Sequence, residues 1–444
     1  MTKLSSLAFA TPAILSSHPI TTRDNNALFA MVTPPPSFDA APSAPSAMFP
    51  PFKTSSSYSS SAYASLMSSY TPATTNELME GIKSFLLPPP AFAATTNPKP
   101  PSNDEIKLLR SALGALYGER NPEKAEVLLT EAVQAWQRQN PDERAALYRV
   151  RGDCYMALLK PEEAASDYGI AVELLEGPGG ELADPEERPA ARLGRARALR
   201  ASSDLSPQRA ATAASDYRVA LLLTSREEWD TDSERIEDGA SRNPYAAWEW
   251  ASARRESGDY KGAAESHVLA SIAFAEVGDK PRSVISNLDA GIDLAAVAAS
   301  TGDANDVKEA RTLLEKAIAS TVAVEGRDVE LLQRIIAKEG EARIALASIL
   351  WSNGDKGAAE AQLGEACVRL DQLEADAQAR EAARIKSGAM PPPKIQKLKF
   401  SIDDGVSAGE IGCSRFKSDK FLSESLRWPE VLRVKVDKLQ KLGR

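Results

Sequence analysis

Acid–base and nucleophilic catalysis near neutral pH draw mostly on histidine and activated cysteine. This chain of 444 residues offers only His18, His267, Cys154, Cys367 and Cys413. Two histidines cannot build a multi-histidine metal site, and His18 stands in an N-terminal stretch that folding does not need, so a His-based triad lacks its parts. The cysteines are odd in number and show no CxxC spacing, which argues against a disulfide framework and against zinc. Cys154 and Cys367 fall inside helical patterns and read as small buried hydrophobes. The adjacent carboxylates Glu186-Glu187 and Glu227-Glu228 are of a type that does acid–base work, but in so acidic a chain they read as solvated surface. No GxxxxGK[ST], no GxGxxG behind a strand, no GxSxG and no HExxH occurs. No catalytic residue, metal or cofactor is therefore assigned, and the chemistry left is recognition.

The elements that would present a recognition surface are helical repeats. Between Ala145 and Pro178, the residues Tyr148, Gly152, Tyr155, Ala164, Tyr168 and Ala171 fall at positions 4, 8, 11, 20, 24 and 27 of a 34-residue helix–turn–helix unit. Gly152 and Ala164 are small where two helices must approach, and the three tyrosines fill the space between them. This stretch resembles a tetratricopeptide (TPR) repeat, with one departure: Arg151 stands at position 7, where the family usually carries Leu.

The register extends both ways. Asn103-Asp104-Glu105 offers a helix start, and Ala125, Leu129 and Ala132 mark a first, degenerate repeat that turns at Asn121-Pro122. Gly194, Ala213, Tyr217 and Ala220 mark a third after an insertion around residues 202–207. The segment Thr224–Asn243 has seven acidic residues and no apolar period, so a long exposed loop is expected there. A fourth repeat starts at Pro244, with Gly258-Asp259-Tyr260 turning before Ala263. Longer helices are expected over Pro281–Ser300, Asp306–Val324 and Val329–Asn353. Gly354-Asp355-Lys356 repeats the turn before Ala359, Leu363 and Ala366; a capping helix runs to about Ile385, and Pro391-Pro392-Pro393 ends it. The fold expected is all-α: a TPR-like α-solenoid, a right-handed superhelix of five to six helical pairs, over residues 101–390.

The resemblance also implies a binding face, because the first helix of each TPR lines a concave groove that holds a protein or peptide. Carried over position by position, the groove residues are Arg110; Arg149, Asp153 and Met156; Arg188 and Arg195; Tyr245, Trp248 and Arg255; and Ile344 and Trp351. Arg, Trp and Tyr dominate binding hot spots, and as exposed side chains they would make one half of the groove basic and the other aromatic. TPR co-chaperones that hold acidic Hsp70 or Hsp90 termini need two asparagines at places filled here by Gly114 and Val150, so that clamp is not assigned, although Arg110, Arg188 and Arg192 supply positive charge.

Residues 1–100 are rich in Ser, Ala, Thr and Pro and carry little charge. They read as a disordered transit region, and scarce Arg favours a plastid over a mitochondrion. Ala8-Phe9-Ala10 resembles a presequence cleavage region of algae with secondary plastids, and Ala91-Phe92-Ala93 a lumenal processing site, so stroma and thylakoid lumen both stay open. The formal charge of −9 is uneven: residues 101–390 carry about −15 and residues 391–444 about +5. An acidic body argues against nucleic acid, and no apolar run of spanning length occurs. The tail 391–444 holds Cys413, Arg427-Trp428-Pro429 and a basic amphipathic helix Val431–Leu442. It resembles the C-terminal tail of plant and algal chloroplast TPR proteins. Its aromatic and apolar residues are expected to dock through Arg427, Trp428 and Pro429, either on the last helices or in the groove near Trp248 and Trp351. The basic helix leaves peripheral membrane association open but better suits a protein contact. What this implies is a scaffold or assembly factor for photosynthetic complexes, the alternative being a plastid co-chaperone or import-related receptor.

Overall fold

The computed structural model describes residues 101–226, 229–324, 328–388 and 398–440. The expected transit region with Ala8-Phe9-Ala10 and Ala91-Phe92-Ala93, the pair Glu227-Glu228 and the prolines 391–393 lie outside the described residues. The described residues gather in one compact unit, the tail included.

Fourteen α-helices and no strand occur among the described residues. Most form antiparallel-style neighbours in sequence order: α1 (Asn103–Leu113) with α2 (Pro122–Ala135), α3 (Pro141–Ala157) with α4 (Pro161–Glu176), and α5 (Glu187–Ala201) with α6 (Pro207–Thr224). After α7 (Asp232–Arg242) come α8 (Pro244–Ser257) with α9 (Tyr260–Glu276), α10 (Lys280–Thr301) with α11 (Ala304–Ser320), and α12 (Val329–Ser352) with α13 (Lys356–Lys386). The tail ends in α14 (Glu430–Gln440), which packs on α10 and α12.

Helix boundaries follow local chemistry. Gly258, Gly278 and Gly354 adopt φ values of 92°, 82° and 89°, a left-handed turn that costs glycine little. In each case the next residue is an Asp whose carboxylate accepts from a backbone N–H of the following helix: Asp259 from Gly262, Asp279 from Arg282 and Asp355 from Ala358. The spacing at the expected close approach is equally physical. A Cβ on Gly152 would lie 2.9 Å from the Tyr168 ring, and one on Gly194 only 2.3 Å from it. Tyr168 of α4 is thus received by glycines on both flanking helices, α3 and α5. Arg151 also finds a role: its guanidinium is bidentate to the buried Asp167 at 2.6 and 2.8 Å and lies over the Tyr148 and Tyr155 rings.

Two expectations are corrected. The segment expected to be a long loop, 224–243, contains α7. Thr231 and Glu234 form a reciprocal capping box at its start, and Gly239 sits so close to the Leu221 carbonyl that a Cβ would approach within 2.2 Å. A helix this polar is held by its cap and by Arg226–Asp238 ion pairing at 2.7 Å rather than by a wide apolar stripe. Cys367 is not an isolated hydrophobe: it is disulfide-bonded to Cys413 across 46 residues, with Cα atoms 4.8 Å apart. Spacing arguments missed this because one partner lies on α13 and the other in the tail. Cys154 does behave as a buried thiol, donating to the Pro122 carbonyl at 3.2 Å.

Candidate functional site

The first helices α1, α3, α5, α8 and α12 carry the residues assigned to recognition, and α10 carries none. Arg110 on α1 is exposed. Arg149 is not free: it donates to Glu187 at 2.6 and 3.0 Å and to Asp153 at 3.1 Å. Asp153 also accepts from the hydroxyls of Tyr117 at 3.2 Å and Tyr168 at 2.6 Å. Arg195 is bidentate to Asp216, and Arg188 donates to the Gly180 carbonyl at 3.3 Å. Met156 packs beside Tyr168 and Ala198. The expectation of exposed groove arginines is thereby corrected for Arg149, Arg195 and Arg255, which are spent on internal carboxylates.

Toward the C-terminal half the acids of the network are buried. Arg255 pairs with Asp293 and, at 3.2 Å, with Asp289. Trp248 donates its indole N–H to Asp289 at 3.1 Å, and Lys338 reaches Asp289 at 3.4 Å and Glu341 at 2.9 Å. Burial alone would raise the Asp289 carboxyl, but Lys338 and then Arg255 outweigh it and hold it well below the usual carboxylate range. Glu341 shows the opposite balance, with burial pushing it up against the pull of Lys338. His267 has its Nδ1 2.7 Å from Asp293, the contact a general base would use, but it is fully buried and its Nε2 meets no partner. Tyr245 stands edge-on to Phe274 beneath Arg282, and Trp351 lies under Lys356.

The tail crosses this same face. Phe400 lies under Arg197 of α5, and its carbonyl accepts from Arg200 at 3.0 Å. Asp403 accepts from Arg282 of α10 at 2.9 Å and Arg334 of α12 at 3.4 Å. Arg427 reaches Glu256 of α8 at 2.7 Å, and Glu256 is also bidentate to Arg200. Trp428 is 4% exposed, packs edge-on to Phe416, and donates to Glu341 of α12 at 3.4 Å. Of the two expected seats, the last helices hold the tail, with Glu256 of α8 added, while Trp248 and Trp351 are engaged by Asp289 and Lys356. The disulfide and the Asp371 bond to the Cys413 N–H hold the tail to α13, while Arg427 and Trp428 hold it to α8 and α12.

Sequence reading supplied Arg149, Arg195, Arg255, Trp248 and Trp428 but missed Arg197, Arg200, Arg282 and Arg334, which meet the tail, and the acids that bind the arginines. A signal existed: Ala-Ala-Ser-Asp-Tyr occurs at 164–168 and again at 213–217, and both of its aspartates, Asp167 and Asp216, are buried partners of first-helix arginines. His267 stands where the tyrosine stands in those two repeats, after Ala263-Ala264. The acids Glu249, Glu256, Asp289 and Glu341 carry no such repeat, and only tertiary packing reveals them.

A pocket of about 490 Å³ opens between α12, α13 and the tail around Arg334, Arg380 and Asp403. Its charges are largely matched within it, as by Arg334 with Glu330 and with Asp403. Among the described residues no group of three or more His, Cys, Asp and Glu side chains converges for a metal, and no helix is long and apolar enough to cross a membrane.

No family model and no curated protein matches the chain. Among solved structures, the crystal structure of BtubC (BKLC) from P. vanneervenii aligns over 66% of this chain and 97% of its own, at 16% identity and a TM-score of 0.36.

Proposed function

We propose that the chain is a non-enzymatic TPR-like scaffold, a right-handed α-solenoid that holds a protein partner along its first helices. Its place is a plastid, where it serves the assembly or maintenance of photosynthetic complexes. One observation carries the reading: a segment of polypeptide, the chain's own tail, already lies across α5, α8, α10 and α12 with Trp428 buried and Arg427 on Glu256. A face that seats one segment by aromatic and Arg anchors has the chemistry to seat another. The first helices α1 and α3, with Arg110 and Met156, lie beyond the tail contacts just described and are the natural entry for a partner.

The test is site-specific photo-crosslinking of the full chain in isolated plastids. A crosslinker at Arg110 should capture a discrete partner, and one at Val368, an exposed second-helix residue, should not. Photosystem subunits in the product support the assembly role, whereas Hsp70 or Hsp90 would select the co-chaperone reading. Capture at Val368 alone overturns the binding face, and a fluorescent fusion that never reaches a plastid overturns the compartment.

A further inference from the structure

The tail is fixed to the rest of the unit in two chemically different ways. Near Cys413 the attachment is covalent, to Cys367 of α13. Further on, from Leu422 to Leu439, it is held by side-chain packing on α10 and α12 and by the Arg427–Glu256 pair. Both cysteines are only half-buried, and their neighbours Val368, Ser414 and Arg415 are exposed, so a thiolate has access to the bond. The helix that carries Cys367 does not need it: α13 packs on α12 through Ala359, Ala366, Leu370 and Leu373, all buried. Breaking the bond therefore leaves the helical pairs intact and removes the covalent one of the tail's attachments, so that its seating depends on packing and on the Asp403 and Arg427 pairs alone.

We propose that the Cys367–Cys413 disulfide is a redox latch on the first-helix face. Oxidised, it keeps the tail seated over α8, α10 and α12. A dithiol reductant opens it: one reductant thiolate attacks a sulfur of the pair and forms a mixed disulfide, and the second reductant thiol displaces the remaining cysteine. Two electrons and two protons pass to the protein, which ends with two free thiols, and the reductant ends as a disulfide. The freed tail then exchanges with a partner segment of its own chemistry, basic and aromatic, because the seat it leaves is lined by Glu256 and Glu341 beside an apolar wall. This inference rests on the proposed scaffold reading and adds its regulation and the character of the ligand.

The experiment uses the full chain, oxidised or treated with dithiothreitol, and a fluorescent synthetic peptide with the sequence of residues 418–440. Reduction should speed amide exchange at Trp428 and Leu432 at least tenfold, in keeping with the loop-closure entropy a 46-residue crosslink removes, while amides of α9 keep their protection. The peptide should bind the reduced chain at least tenfold more tightly than the oxidised chain. Cys413→Ser should behave as reduced without the reagent and should not respond to it. Unchanged tail exchange, unchanged peptide affinity, or loss of protection in α9 as well would each overturn the latch. The scaffold reading fails separately, by absence of first-helix crosslinks, a result that leaves tail exchange under reduction untouched.

Discussion

Glu256 is the residue on which the tail and the first helices meet. Burial alone would raise its pKa, but Arg200 and then Arg427 outweigh burial and lower it. A depressed folded value means that the carboxylate contributes stability that is complete above the unfolded value of about 4.3 and is lost as pH falls through the folded value. Glu256→Gln leaves Arg200 buried without its counter-charge, which should cost about 3–5 kcal/mol at pH 7. Denaturation followed against pH should show the gap between wild type and Glu256→Gln narrowing below about pH 4; a gap constant with pH would mean that Glu256 titrates alike in the folded and unfolded chain, and one that widens as pH falls would mean that burial outweighs the two arginines. Arg149 argues the same way at the other end. Arg149→Glu should destabilise by about 1.5–3 kcal/mol, because it sets two acids, Glu187 and Asp153, against a third. Adding Glu187→Arg should restore part of the loss in the same melting experiment, and no recovery would show that the pair does not act as one. Arg149 could be picked out in the sequence for its position, but its partner could not, because Glu187 is 38 residues away on another helix.

Among the elements, two helices with an apolar period were legible almost to the residue, the expected Val329–Asn353 being Val329–Ser352 and the expected Pro281–Ser300 being Lys280–Thr301, while the expected Asp306–Val324 is Ala304–Ser320, ended four residues early by a 3-10 turn. Helix α7 was not legible, because its stability comes from a cap and ion pairs rather than from periodic hydrophobes, and α14 starts one residue before the expected Val431. Packing at glycines gives these elements a direct test. Gly194→Ala puts a methyl into the Tyr168 ring and should cost about 1–3 kcal/mol of overpacking, offset in part by the helix preference of alanine. Gly364, in the middle of α13, meets nothing within 4 Å of an added Cβ, so Gly364→Ala should stabilise by about 0.5–1 kcal/mol. Chemical denaturation of the two variants should move in opposite directions. If both stabilise, the close approach of α4 and α5 is wrong.

For the molecule as a whole, the account is that one face of the first helices is where polypeptide sits, and that the tail is its resident occupant. The all-α class and the repeat spacing were readable because both are periodic in sequence. The disulfide and the charge network were not, because each joins residues that only the finished packing brings together. Net charge, near +5 for the tail and −15 for the body, matches one contact, Arg427 with Glu256, but not the others, in which Asp403 of the tail meets Arg282 and Arg334; because these pairs are part-buried, added salt should screen them less than it would surface pairs. The most direct test places a benzophenone side chain at position 428 of the full, oxidised chain and maps its intramolecular crosslinks by mass spectrometry. The account predicts crosslinks to α12 around Glu341 and to the tail around Phe416. Crosslinks that fall on the second helices α9 and α11, or only between separate molecules, would contradict it.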